Sequence, residues 1–251
     1  MKLAIIGDPV VHSRSPQLHR QYLDEAEIDG SYVAIRVAKT NAVATIRRMR
    51  LDGFTGCNVT FPLKEEAVKA CDTLTEEAQR VGAVNTIFFG REVVGANTDG
   101  IGARTAIEAL IEESVALKRV GVLGYGATAR AILAELHDND AYAFVWGRDA
   151  KCVQDVCERY EAERWPQENL PEIVVSTLPP KVRLPDELAA SLLSPDLVID
   201  VNYGSRTTLA RQVDREIVSG DAMLEAQARA SFDFWLAHLD FSSENEDVTV
   251  S

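Results

Sequence analysis

The sequence predicts an α/β protein made of two α/β domains. Two observations lead there. Short apolar runs that stop at Gly or Asp alternate with segments of helical period through most of the chain. Several of those runs, such as Ile173–Ser176 and Leu197–Val201, are apolar at consecutive positions, the pattern of strands covered on both faces of a parallel sheet.

In chain order, Lys2–Ile6 reads as a short buried strand. A helix follows from Ser15 to about Glu27, with Ser15 at the cap and Pro16 in the first turn. Tyr32–Val37 is a strand, Asn41–Leu51 a helix and Gly56–Thr60 a strand. Helical segments cover about Lys64–Ala70 and Thr75–Arg80. Val84–Phe89 and Glu92–Ala96 form a hairpin around Gly90-Arg91.

A second α/β portion opens after Asp99. Ile101–Ile111 is a connecting helix with apolar positions at Ile101, Ala106, Ile107, Leu110 and Ile111. Val120–Leu123 is a strand, Ala127–Leu136 a helix and Ala141–Trp146 a strand; Cys152 and Cys157 fall on a further helix. The last strong helix is Met223–Leu239. The polar, acidic tail Ser242–Ser251 has little to pack and is expected to fray.

Whole-chain properties narrow the function. With 39 acidic against 26 basic residues and a net charge of -13, the surface is a poor match for nucleic acid, which needs a basic face. An anionic ligand must be captured by local hydroxyls, amides or a few placed cations. No stretch has the length of a membrane span, and the apolar run at Met1–Gly7 is too short for a signal peptide. Cys57, Cys71, Cys152 and Cys157 form no C-x-x-C pair and read as reduced thiols, with no metal site. The expectation is a cytoplasmic protein; its oligomeric state is not legible.

Gly124-Tyr125-Gly126-Ala127-Thr128-Ala129 matches G-x-G-x-x-A, follows a strand and opens a helix. Gly124 permits the tight turn, Gly126 lets backbone amides approach a pyrophosphate, and Ala129 allows close helix packing. This context points to a Rossmann-type dinucleotide-binding domain over residues 99–220. The next strand ends in Gly147-Arg148-Asp149. Gly147 leaves room and Arg148 offers a guanidinium for a 2′-phosphate, which favours NADP. Asp149 pulls towards NAD by accepting from a 2′-hydroxyl, or else pairs with Lys151.

Polar clusters stand at strand ends in the first portion: His12-Ser13-Arg14-Ser15-Pro16, Asn58-Val59-Thr60-Phe61-Pro62-Leu63-Lys64, Gly82-Ala83-Val84-Asn85-Thr86 and Asn97-Thr98-Asp99-Gly100. Singly each is a turn rich in Ser, Thr, Asn and Gly. Together, with Gly7-Asp8-Pro9 and Met223-Leu224-Glu225-Ala226-Gln227-Ala228, they resemble the shikimate dehydrogenase family in family order over nearly the whole chain.

The resemblance implies a substrate-binding catalytic domain over residues 1–98 plus 221–251, a cofactor domain, and a cleft between them. It implies NADPH-dependent reduction of 3-dehydroshikimate to shikimate in aromatic amino-acid biosynthesis. Ser13 and Ser15 would hold the substrate carboxylate, with Tyr203 nearby. Asn58, Thr60, Asn85, Thr98, Asp99 and Gln227 would bind around the ring hydroxyls, and Lys64 with Asp99 would form the catalytic pair. Hydride addition to a ketone leaves alkoxide character on oxygen, so a proton donor must lie within hydrogen-bond reach, and Lys64 can be that donor. His12 and His19 rank below it, one in a turn and one inside a helix; His137, His238 and the three Trp read as surface or packing residues.

Three departures from the family pattern stand out. Ala127 replaces a Gly, Gly147-Arg148-Asp149 replaces Asn-Arg-Thr, and Leu178-Pro179-Pro180-Lys181 replaces a Gly-Met segment. Quinate or aminated analogues as substrate, NAD as cofactor, or a silent shikimate- or dinucleotide-binding paralogue stay open as alternatives. The second serine favours shikimate, because quinate goes with Thr there.

Overall fold

The computed structural model describes residues 1–204 and 209–244. The chain divides into two compact units, Met1–Thr98 with the segment from Gln227 onward, and Asp99–Ala226.

The first unit begins β1 (Lys2–Gly7), α1 (Ser15–Glu25), β2 (Ser31–Arg36), α2 (Ala42–Leu51), β3 (Gly56–Val59), α3 (Lys64–Ala67), β4 (Thr73–Leu74) and α4 (Glu76–Val81). The hairpin β5 (Thr86–Phe89) and β6 (Val93–Ala96) follows as expected. The sheet order is β2-β1-β3-β5-β6-β4, mixed in direction: β1, β2 and β3 run parallel, whereas β5 is antiparallel to β3 and to β6.

β1 shows why this sheet is covered twice. Ala4 and Ile6 join one core with Ile46, Met49, Cys57, Val59 and Leu63. Leu3 and Ile5 join another with Leu23, Tyr32, Phe88, Phe232 and Trp235. Alternate residues of one strand thus bury opposite faces. Trp235 comes from α9 (Asp221–Glu244), and its Nε1 donates to the Ile87 carbonyl at 2.9 Å. A Cβ on Gly56 would stand 2.5 Å from that nitrogen, so the strand needs glycine there.

The second unit holds α5 (Asp99–Ile111), β7 (Arg119–Leu123), α6 (Ala127–Asp138), β8 (Tyr142–Trp146), α7 (Ala150–Tyr160), β9 (Glu163–Arg164), β10 (Ile173–Ser176), α8 (Asp186–Ser191), β11 (Leu197–Asp200) and β12 (Val218–Ser219). Its six strands are all parallel, in the order β12-β11-β10-β7-β8-β9. Counted within the unit from β9 inward, that is the 3-2-1-4-5-6 order of the doubly wound dinucleotide fold, with its switch point between β7 and β10.

Several expectations are corrected. Ser15 is the first helical residue of α1; the cap position is Arg14, and no side chain caps the helix. The segment after Lys64 tightens into a 3-10 turn at Val68–Ala70. α5 starts at Asp99 instead of Ile101. The last helix runs on to Glu244, past the expected end at Leu239, so residues 242–244 are helical; residues 245–251 of the expected frayed tail lie outside the described residues.

Candidate active site

In the first unit, the β1 strand ends at Gly7, where a Cβ would collide with Thr60 Cγ2. Glycine therefore lets the loop after β1 close onto the loop after β3, and Asp8 N donates to the Phe61 carbonyl at 3.0 Å. On the first loop, the Ser13 and Ser15 hydroxyls lie 3.1 Å apart, and Ser13 Oγ also accepts from Ser15 N. Thr60 is half-buried on the second loop. Lys64, half-buried, is the first residue of α3, and its carbonyl accepts from Val84 N at 2.9 Å. That bond pins the start of α3 to the loop carrying Asn85.

Behind these residues lies a buried polar network. Asn58 Oδ1 accepts from the Tyr32 hydroxyl at 2.7 Å, and its amide donates among the Asn85 carbonyl, Thr86 Oγ1 and Ser231 Oγ. Asn58 is thus largely committed to this frame. Asn85 accepts from Thr98 N at 2.9 Å and from the Thr86 hydroxyl at 2.8 Å, and donates to Thr98 Oγ1 at 3.0 Å. Thr98 Oγ1 is also within reach of Ser231 Oγ and the Gln227 carbonyl, both at 3.1 Å. Ser231, fully buried, donates to the Gln227 carbonyl at 2.9 Å. Asn58, Asn85, Thr98 and Gln227 are thus brought together, through a serine that the sequence reading did not single out.

His19 is fully buried. Its ring stacks on Tyr32 at 4.5 Å, with Trp235 at 5.2 Å, and neither ring nitrogen has a hydrogen-bond partner among the described residues. Burial lowers its pKa to about 3, so it stays neutral and closed to proton exchange with a ligand. His12 is exposed on its loop.

In the second unit, β7 runs into Gly124, which adopts φ +118 and whose Cβ, were there one, would collide with Thr177 Oγ1. The Thr177 hydroxyl donates to the Leu123 carbonyl at 2.9 Å, closing the switch point. Gly126 caps α6, and a Cβ there would meet nothing within 4 Å. Ala127, Thr128 and Ala129 form the first helical turn, with Ala129 fully buried. An open glycine at a helix N-terminus, at the switch point of such a sheet, fits a dinucleotide pyrophosphate.

At the end of β8, Gly147 is covered by the Tyr125 ring, and Arg148 and Asp149 are exposed. Asp149 does something neither sequence alternative contained: it caps α7, its Oδ1 accepting from Lys151 N and Cys152 N at 2.9 and 3.0 Å. Those amides, Cys152 first, hold its carboxyl below the usual range. Tyr203 is half-buried just beyond β11, in a stretch fixed by Asn202, which donates to Asp200 and to the Leu178 carbonyl. Asp99 is buried at the start of α5, and its Oδ2 accepts from the Thr128 hydroxyl at 3.1 Å.

All four cysteines are free, and burial raises the thiol of Cys71 to about 12. Among the described residues there is no group of three or more His, Cys, Asp or Glu able to hold a metal, and no helix long and apolar enough to cross a membrane.

Residues 5–87 match the shikimate dehydrogenase substrate binding domain. The chain is 32% identical to a shikimate dehydrogenase (NADP(+)) of Herminiimonas arsenicoxydans, covering 93% of this chain and 91% of that protein. A shikimate dehydrogenase (NADP(+)) of Gluconobacter oxydans is 35% identical, over 93% and 90% of the two chains. Among solved structures, shikimate 5-dehydrogenase of Thermus thermophilus in complex with NADP(H) and shikimate superposes with a TM-score of 0.80 at 28% identity, covering 94% of this chain and 93% of that one. With near-complete coverage at this identity, the chain belongs to the shikimate dehydrogenase family.

Proposed function

We propose that this protein is an NADP-dependent shikimate dehydrogenase, catalysing the reversible reduction of 3-dehydroshikimate to shikimate in aromatic amino-acid biosynthesis. The observation that carries the reading is the pair of hydroxyls on Ser13 and Ser15, 3.1 Å apart on the loop after β1. Two neutral donors side by side suit a carboxylate in a protein of net charge -13 that has no global attraction for anions. Ser in place of Thr at position 15 favours shikimate over quinate.

The residues from the start of the chain to Thr98, with the C-terminal helix, form the substrate side, and the second unit forms the cofactor side. The glycine turn Gly124–Ala129 would receive the pyrophosphate, with Gly147 and Arg148 at the adenosine end. Arg148 favours NADP by offering a guanidinium to a 2′-phosphate, while Asp149 commits Oδ1 to the α7 amides, which leaves only its other oxygen for a ribose hydroxyl. When bound, the nicotinamide supplies or takes up the hydride.

The rest falls to the chain's own groups. In the reductive direction the Lys64 ammonium gives its proton to the carbonyl oxygen as the C–O double bond opens, so the product is the neutral alcohol. Asp99 orients that ammonium and holds a neighbouring ring hydroxyl. Thr60, Asn85 and Gln227 bind the remaining hydroxyls, Thr98 and Asn58 keep Asn85 in place, and Tyr203 serves near the carboxylate. A fixed, hydrogen-bonded frame of this kind positions the ketone without reorganising during the reaction.

The deciding assay follows absorbance at 340 nm with shikimate and quinate, each offered with NADP and with NAD. The reading requires the fastest turnover with shikimate and NADP. A preference for quinate or for NAD would replace substrate or cofactor, and silence with every combination would leave only a binding protein.

A further inference from the structure

We infer that Thr128 is a positioning residue for Asp99, although it stands in the cofactor-binding turn. The inference rests on the dehydrogenase reading above and names a part of its machinery that the glycine motif does not contain.

The geometry starts with helix packing inside the second unit. A Cβ on Gly100 would lie 2.6 Å from the Ala131 carbonyl and 3.1 Å from Glu135 Cβ, so only glycine lets α5 approach α6 this closely. Further along, Arg104 Nε donates across to Glu135 of α6 at 2.7 Å, tying the two helices in that register, while its Nη1 donates within α5 to Glu108 at 2.9 Å. The consequence falls at their N-termini. Asp99, the first residue of α5, meets the first turn of α6, where Thr128 Oγ1 donates to Asp99 Oδ2 at 3.1 Å.

A threonine hydroxyl carries one proton. Here that proton goes to the Asp99 carboxylate. Held at Oδ2, the Asp99 carboxylate loses rotational freedom, and the orientation of its other oxygen is restrained with it. Hydrogen bonds to an ionised acceptor are stronger than neutral ones, so the restraint is substantial. Thr128 thereby acts on the substrate side of the reaction through Asp99, while the backbone amides of the same turn remain for the cofactor.

The test compares wild type with Thr128→Val, which keeps the shape and removes the donor, and Thr128→Ser, which keeps the donor. Steady-state kcat and KM for shikimate are measured at saturating NADP, and the NADP dissociation constant by calorimetry. Thr128→Val should lower kcat/KM for shikimate about tenfold, the size of a lost bond to a charged group, with NADP affinity unchanged within about twofold. Thr128→Ser should recover most of the loss, which a packing role for the methyl would not produce. If the Val variant fails to fold, Thr128→Ala supplies the same arm, since alanine is the better helix former. The inference is overturned if NADP affinity falls while the shikimate constants hold, or if neither changes. A wild type without turnover removes the dehydrogenase reading itself, and this inference with it; an active wild type with an indifferent Thr128→Val removes the inference alone.

Discussion

The Tyr125 ring lies where a side chain at position 147 would begin: a Cβ on Gly147 would stand 2.5 Å from its Cδ1 and 2.7 Å from its Cε1, with Val153 Cγ2 at 2.9 Å. One departure from the family pattern, Gly147 at the strand end, is therefore tied to another residue, the tyrosine of the glycine turn. Gly147→Asn should displace the ring and cost about 1–3 kcal/mol, the usual range for overpacking. In a Tyr125→Ala background much of that cost should vanish. Urea unfolding of the two single variants and the double variant measures the coupling, and additive losses would break the link between the two positions.

Lys64 is half-buried at the first position of α3, where alanine is sterically and conformationally acceptable. Lys64→Ala should fold normally and lose turnover by about a hundredfold or more, the scale of a positioned acid, with a smaller change in KM for shikimate. Steady-state kinetics at saturating NADP decides it. Unchanged turnover would take Lys64 out of the mechanism.

Much of this architecture is legible in the residues themselves. Lys2–Ile6 announces a short buried strand, and the Gly90-Arg91 hairpin and the Gly124 turn are local signals with local causes. What escapes has distant or weak causes. The strands β4, β9 and β12 are two residues each, and their pairing comes from the neighbouring strand rather than from any pattern of their own. Ser231 sits among apolar residues of α9, and its partner Asn58 is 173 residues away. Asp149 reads as a ligand or an ion-pair residue, whereas cap geometry depends on where α7 begins.

The Ser231 hydroxyl serves four neighbours, yet each has another partner. Asn58 keeps the Asn85 carbonyl and Thr86, Thr98 keeps Asn85 and the Gln227 carbonyl, and Thr86 keeps Asn85. Ser231→Ala should therefore cost about 1 kcal/mol, a net hydrogen bond, and not the larger penalty of an orphaned buried group. Denaturant unfolding measures it. A loss well above that would mean the network has no slack and that Ser231 is its keystone.

His19 makes stability depend on pH with a sign fixed by its burial. Its pKa is about 3 in the folded chain, against an ordinary value of 6.5, and the cause is desolvation among Tyr32, Tyr22, Phe232 and Trp235. Below pH 6.5 the unfolded chain binds a proton that the folded chain refuses, so stability falls as pH drops from about 6.5 towards 3. The slope is about 1.4 kcal/mol per pH unit once well below the upper value. His19→Phe keeps an aromatic ring in the stack and removes the titration, along with two ring nitrogens that have no partner among the described residues. Urea unfolding of both proteins at pH 7.5, 6 and 5 isolates the effect, because the carboxylates they share cancel in the difference. The variant should gain on the wild type steadily as pH falls. A difference that stays constant across the range would mean His19 is protonated in the folded chain, which its packing forbids.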